Sequence, residues 1–387
     1  GGASIFLASQ IGTSLHSRGL DSSAAVNNAQ TFTFGISAII ILFLITNRNM
    51  PVQHHVTITA GLAALKFFPI FGGEFVMKTD TQGWIAANVG PSIGALAAAL
   101  LAAGAQAEKY QLPPADISVV GQVQQISARQ GETFYEIGRE YGIGYDAMEH
   151  ANQGLDGLYL QDGDQILLPT RFILPDAPRE GIVINLPEMR LYYYPPGENA
   201  VYVYAIGIGR EGWATPKGIL SIADKRANPT WTPPASIRAE HAANGDPLPP
   251  VVPAGPDNPL GLFAMRLSNP SYLLHGTNKP EGVGMRVSHG CIRLYPEGIE
   301  ELFGMVAPGT KVNIINQPMK VGWFGDSMYL EFHAPLGEDA RTLEQNIAEA
   351  RETVHKSIAS RGLQVSNDLI DAVVREETGL PVEVAYR

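Results

Sequence analysis

The sequence predicts a mainly β domain of the sandwich or barrel kind, preceded by a small βααβ unit and followed by a helical tail. Three observations carry that expectation. From Gly181 onward, short β-branched and aromatic runs alternate with Gly- and Pro-bearing turns. Within residues 121–170 the apolar spacing becomes helical between two strand-like runs. Past Gln317, apolar residues settle into one helical stripe.

Composition narrows the field. With 387 residues, 45% hydrophobic and only 17% charged, the chain is neither disordered nor a coiled coil, and it has length for two or three domains. A net charge of −11 argues against binding along a nucleic-acid backbone. The single cysteine, Cys291, excludes an internal disulfide framework, a four-Cys zinc site and a lipid-carrying cysteine near the start. One Cys is either a small buried hydrophobe or a nucleophile, and composition leaves both open.

Residues 1–107 carry four basic and three acidic side chains, which leaves the rest of the chain at −12. Apolar stretches run over Phe34 to Ile45, Val56 to Phe75 and Ile85 to Ala105. The first has a 12-residue core, short of the roughly 20 residues a bilayer span needs. The third follows Met77-Lys78, contains an apolar core from Ile93 to Leu101, and ends in Ala105-Gln106-Ala107. That is the pattern of a secretory signal over 77–107, cut after Ala107, with an uncleaved helical anchor as the alternative. Residues 1–76 read as an apolar, membrane-like segment or an over-extended reading frame. His54-His55 lacks further ligands nearby, so no metal and no cofactor are expected.

Residues 121–170 carry two arginines against eight carboxylates. Val123 to Ala128 suits a strand, and Thr133 with Glu136 three residues on forms a capping-box signature. Phe134, Ile137 and Tyr141 share one helical face, Gly142 and Gly144 end that helix, and Tyr145 to Ala151 makes a second. Asp162-Gly163-Asp164 turns the chain into the strand Gln165 to Leu168. Gly131-Glu132-Thr133-Phe134, Tyr141-Gly142, Ala151-Asn152, Leu160, Gly163, Ile166 and Pro169 resemble a LysM module. The resemblance implies a βααβ fold that binds N-acetylglucosamine-containing glycans, here peptidoglycan.

The strand series covers Ile182 to Asn185, Arg190 to Tyr194, Val201 to Ile208, Leu220 to Ala223, Leu262 to Leu267, Tyr272 to His275 and Lys311 to Ile315. Within it lie His275-Gly276-Thr277 and Ser288-His289-Gly290-Cys291-Ile292-Arg293. A thiol needs a base or positive surroundings to become a nucleophile at neutral pH. Two histidines supply that base and an oxyanion donor. Gly290 permits close backbone approach, and Arg293 is a fixed cation suited to a substrate carboxylate. On this pattern the Cys291 pKa is expected to be depressed.

The full pattern is similar to the catalytic signature of the L,D-transpeptidase (YkuD-type) family. Further matches are Ile208-Gly209-Arg210-Glu211-Gly212, Thr215-Pro216-Lys217-Gly218 and Asn228-Pro229-Thr230-Trp231-Thr232-Pro233-Pro234, so the resemblance spans 180–318. It implies a β-sandwich catalytic domain with Cys291 as nucleophile and His275 as base, oriented by the Gly276 carbonyl. His289 and Gly290 then shape the oxyanion pocket beside Ser288, and Arg293 holds substrate. The implied reaction attacks tetrapeptide stems of peptidoglycan and passes the acyl group to an amine. That amine belongs to another stem, giving a 3-3 cross-link, or to a lysine of an outer-membrane lipoprotein. Water as acceptor would make the enzyme a carboxypeptidase or amidase, and a non-catalytic glycan-binding wall protein is the reading from another class. The resemblance further implies a periplasmic protein, acylation by carbapenems, and dependence on an external thiol reductant, since Cys291 has no resolving partner.

Six prolines between His241 and Gly261 exclude a central strand and disfavour helix; the family resemblance implies that this segment is a candidate capping loop over the active site. Residues 319–387 are expected as one strand, such as Met328 to Phe332, followed by two helices. The first carries the stripe Leu343, Ile347, Ala350, Val354 and Ile358; the second is capped by Ser366.

Overall fold

The computed structural model describes residues 107–387. The expected signal over 77–107, save Ala107 itself, and the apolar residues 1–76 lie outside the described residues. Among those described, no helix is long and apolar enough to cross a membrane.

The first elements are β1 (Glu108–Gln111), β2 (Val119–Gly121), β3 (Gln124–Ser127), α1 (Phe134–Glu140), α2 (Tyr145–Ala151), β4 (Gln165–Leu168) and β5 (Arg171–Ile173). β3 and β4 pair antiparallel, from Gln124 opposite Leu168 to Ser127 opposite Gln165, so residues 124–168 form a βααβ unit. Its start is fixed by the capping box: the Glu136 amide donates to Thr133 Oγ1 at 3.2 Å, and the Thr133 amide donates to the Glu136 carboxylate at 3.0 Å. Phe134, Ile137, Met148, Leu160, Ile166 and Leu168 make its core. Asn152 is buried and pins α2 to β4, taking the Leu167 amide at 2.7 Å and donating to Met148 O at 2.8 Å.

The main sheet follows with β6 (Gly181–Asn185), β7 (Arg190–Tyr194), β8 (Ala200–Gly209), β9 (Gly218–Ala227), α3 (Ala235–Ala243), β10 (Phe263–Leu267) and β11 (Leu273–His275). Then come β12 (Arg286–Ser288), β13 (Ile292–Leu294), α4 (Pro296–Met305) and β14 (Lys311–Ile315). The strand order is β1-β8-β13-β11-β10-β9-β14-β6-β7, and β7 returns to pair with β8, so the sheet closes on itself. Closure removes free edges, and the interior fills with Ile182, Ile184, Leu191, Ile206, Leu274 and Ile292. α4 covers one opening with Ile299 and Leu302, both fully buried. Neither α3 nor α4 was expected from sequence. α3 starts straight after Pro233-Pro234, and α4 has Pro296 at its first position, where proline's fixed φ and missing N–H suit a helix start.

The βααβ unit is not a separate bead. The amides of Tyr145 and Asp146 donate to the carbonyls of Val283 and Gly284 at 3.3 and 3.2 Å. Gly144 and Gly284 meet backbone to backbone, so a Cβ on Gly284 would lie 2.2 Å from Gly144 Cα. Tyr295 donates to Ile143 O at 2.9 Å, and Arg139 pairs with Glu297.

The tail differs from expectation. β15 (Met319–Phe324), β16 (Ser327–Phe332), β17 (Gln364–Val365) and β18 (Val382–Tyr386) form a four-stranded sheet in the order β15-β16-β18-β17. α5 (Leu343–Ile358) and α6 (Asn367–Glu376) pack on it through Ala350, Val354, Ile370 and Val374. Ser366 caps α6 as expected, accepting from the Leu369 amide at 3.3 Å.

A buried charge cluster joins the closed sheet to the tail. Lys320, on β15 and 1% exposed, places Nζ 2.6 Å from Glu188 and 2.8 Å from Glu331 and donates to Ile173 O at 2.6 Å. Arg190 pairs with both carboxylates, and Nε2 of the buried His333 lies 2.7 Å from Glu331. Glu188, Glu331 and His333 are metal-ligand types brought close together, but the ammonium and guanidinium already balance the two carboxylates. Burial alone would raise the Glu331 carboxyl; Lys320, then His333 and Arg190, outweigh it and hold it at about 2.

Removing one partner leaves uncompensated buried charge. Lys320→Ala should therefore destabilise the protein by about 3–5 kcal/mol, and Lys320→Met with Glu331→Gln should recover much of that. Urea unfolding checks both. Because the Glu331 folded-state pKa lies below its ordinary 4.5, its contribution is full above that pH and is lost as pH falls towards about 2. Thermal unfolding of the wild type across pH 2–5 should show the loss, and Lys320→Met with Glu331→Gln should flatten it.

Candidate active site

β11 and β13 lie side by side and parallel, with Leu274 opposite Ile292 and His275 opposite Arg293. Leu274, Ile292 and Leu294 are buried in the sheet interior. Strand alternation therefore puts His275 and Arg293 on the other face, and Cys291 follows the parity of Arg293. The sequence-predicted nucleophile, base and cation are thus gathered on one surface from segments 16 residues apart in the chain.

His275 is 3% exposed, and its Nδ1 lies 2.6 Å from the Gly276 carbonyl oxygen. A carbonyl only accepts, so Nδ1 carries the proton and Nε2 keeps the free lone pair. Burial first, and the Arg293 charge second, lower the His275 pKa to about 3, against the hydrogen bond to Gly276. The imidazole is neutral. Burial also raises the Cys291 thiol, against a hydrogen bond from the Leu273 amide and the charge of Arg293. The depressed thiol expected from flanking charges is corrected here: desolvation outweighs Arg293.

Arg293 is partly buried, burial lowers its pKa, and its Nε is buried with no hydrogen-bond partner. An unsatisfied guanidinium N–H is a free docking point for an anion. Ser288 braces the turn: its hydroxyl donates to Cys291 O at 2.6 Å and accepts from the Gly290 amide at 3.1 Å. The Gly290 amide is thereby occupied within the turn. Gly290 has φ +98°, and a Cβ there would sit 2.9 Å from the Tyr272 ring.

Two contacts were not anticipated as parts of the site. Thr215 is buried; its hydroxyl accepts from the Gly209 amide at 3.0 Å and donates to Gly290 O at 3.1 Å, tying the upstream motif to the cysteine turn. Glu240, on α3, meets His289 Nε2 at 3.0 Å and pairs with Arg210. Trp213 stacks edge-on against His289 with centroids 4.7 Å apart. His289 Nε2 is therefore engaged by Glu240 and Arg210. Nothing in the spacing of Glu240 marks it; only the packing of α3 brings it in.

Residues 179–314 match the YkuD family, described as the L,D-transpeptidase catalytic domain. Over 298 residues the chain is 46% identical to the probable L,D-transpeptidase YcfS of Escherichia coli (strain K12), covering 74% of this chain and 92% of that one. This chain belongs to the L,D-transpeptidase family. Similarity at 41% over 285 residues extends to the probable L,D-transpeptidase ErfK/SrfK of the same strain, covering 71% of this chain and 90% of that protein. A solved catalytic domain of the Enterococcus faecium L,D-transpeptidase, acylated by ertapenem, shares 26% identity over 35% of this chain and 96% of its own, with a TM-score of 0.28. L,D-transpeptidases are acyltransferases that act on peptidoglycan stems, so the class expected from the motifs stands.

Two outcomes follow from the geometry. A raised thiol pKa makes the Cys291 alkylation rate with iodoacetamide climb about tenfold per pH unit from pH 6 to beyond 8. A plateau below pH 8 would contradict it. Thr215→Val removes both hydrogen bonds holding Gly209 to Gly290 and should cost about 1–3 kcal/mol in urea unfolding, while slowing Cys291 alkylation by changing the turn.

Proposed function

We propose that the protein is a cysteine L,D-transpeptidase that forms a thioester on Cys291 from tetrapeptide stems and passes it to an amine. The observation that supports this best is the neutral His275, its Nδ1 committed to Gly276 and its Nε2 free, one strand away from Cys291. As Sγ attacks the carbonyl of the third stem residue, His275 takes the thiol proton and returns it to the departing D-Ala amine. Arg293 receives a carboxylate of the stem through its guanidinium. An amine from a second stem gives a 3-3 cross-link; a lipoprotein lysine gives attachment of that protein to the wall. Water gives a trimmed stem.

The βααβ unit is read as a LysM module that holds glycan chains, and the enzyme as exported to the periplasm behind the signal over 77–107. Since α2 donates backbone hydrogen bonds to Val283 and Gly284, glycan and peptide stem are held in a fixed relation.

Incubation with defined disaccharide-tetrapeptides tests the reading by product mass. The wild type should release D-Ala and form dimers, or a lipoprotein adduct when that acceptor is present. A carbapenem should add one mass increment per chain. Cys291→Ala should abolish products and adduct, and His275→Ala should slow acylation more than about a hundredfold. Full activity in Cys291→Ala would overturn the mechanism.

A further inference from the structure

Residues 228–262 leave the closed sheet between β9 and β10 as an internally braced excursion. Its neck is the hydrogen bond from the Asn228 amide to Leu262 O, at 2.7 Å, with Asn228 itself at φ 48°. Inside, Trp231 and Val252 form an isolated bridge. The fully buried Asn258 donates to the carbonyls of Pro229 and Pro253 at 2.7 and 3.0 Å. A segment with a narrow neck and internal bracing moves as one piece.

The excursion touches both catalytic motifs. Gly261 lies against Gly276 and Thr277, where a Cβ would come within 2.8 Å of the Thr277 amide nitrogen. At the other side α3 reaches His289. α3 is weakly held by other means: it has nine residues, no side-chain N-cap, and Ile237 as its one buried residue. Among the described residues, the ion pairs that bind the excursion to the rest of the protein both end on Glu240. Its two carboxylate oxygens divide between Arg210 and His289 Nε2, while Arg210 Nη2 sits 3.1 Å from the same Nε2. Glu240 is the acceptor through which α3 meets both Arg210 and His289. Hydrogen bonds from Arg210 first and His289 second hold the Glu240 carboxyl below its ordinary range, so it stays ionised.

We propose that Glu240 is a positioning residue that latches the 228–262 excursion onto the Cys291 turn and thereby sets how the thioester divides between amine and water. The inference rests on the thioester reading above. In both branches the C–S bond breaks. With an amine, a C–N bond forms; with water, a C–O bond forms; in each case the nucleophile's proton passes to the departing sulfur. Water is abundant and small, whereas an amine acceptor must be held. A latched wall restricts the first and retains the second.

The experiment compares wild type, E240Q and E240A with a tetrapeptide donor and an amine acceptor, reading D-Ala release, trimmed stem and transfer product by mass. Both variants should raise the ratio of trimmed to transferred product about tenfold. A merely structural role would lower both products together and leave their ratio unchanged; that outcome, or no change at all, overturns the proposal. Amide hydrogen exchange gives a second readout that needs no turnover. In E240A the amides of α3 should exchange about tenfold faster, with those of α4 unaffected. Unchanged α3 exchange removes the latch even if the product ratio moves. Should the wild type form no Cys291 adduct, the thioester reading and the partition fail together, while the latch stands or falls on the exchange data.

Discussion

The parallel pairing of β11 with β13 is the constraint on which the site depends. Neighbouring strands that run parallel need a crossover, and here residues 276–291 make it, carrying the Gly-rich turn, β12 and the cysteine motif. The register is held by apolar parity: Leu274, Ile292 and Leu294 must all reach the interior, so His275, Cys291 and Arg293 must all face the other way. A slip of one residue would bury the charged side chain and expose two core residues, so the catalytic alignment inherits its precision from the hydrophobic core.

A second constraint acts between units. Two carboxylates, an ammonium and a guanidinium are buried together where the closed sheet and the tail meet. Such a cluster gives little net stability over an apolar contact, but it is intolerant of separation, because parting the two would strand each charge. The βααβ unit is joined to the closed sheet instead by backbone hydrogen bonds at Val283 and Gly284, within the crossover that leads to Cys291. The βααβ unit and the Cys291 turn therefore keep one spacing.

What was legible in the sequence depended on how local its signal was. The βααβ unit read through because its capping box, helical face and turn all lie within a few residues of one another. The site read through because Ser288 to Arg293 is contiguous and His275 close by. β15 did not, since Lys320 near its start looks like a surface residue until Glu331 pairs opposite it on β16 and Glu188 arrives from the closed sheet. α3 was hidden behind its prolines, and with it Glu240, whose partners lie 30 and 49 residues away. The sign of the Cys291 shift was missed for a related reason: flanking charges are visible in sequence, whereas desolvation is a property of the fold.

That sign bears on how the chemistry starts. With the thiol raised and the imidazole lowered, both by burial, the resting pair is neutral rather than a thiolate beside an imidazolium. Separating charge between them in the empty site is unfavourable, which protects a solitary cysteine from oxidants that react with thiolate. Arg293 acts on both groups, favouring the thiolate and opposing the imidazolium. In the mechanism proposed above, a stem carboxylate seated on Arg293 would screen that charge at both groups, easing protonation of His275 while weakening the hold on the thiolate. The proton transfer is then driven by the carbonyl carbon that the sulfur attacks, not by a thiolate formed beforehand.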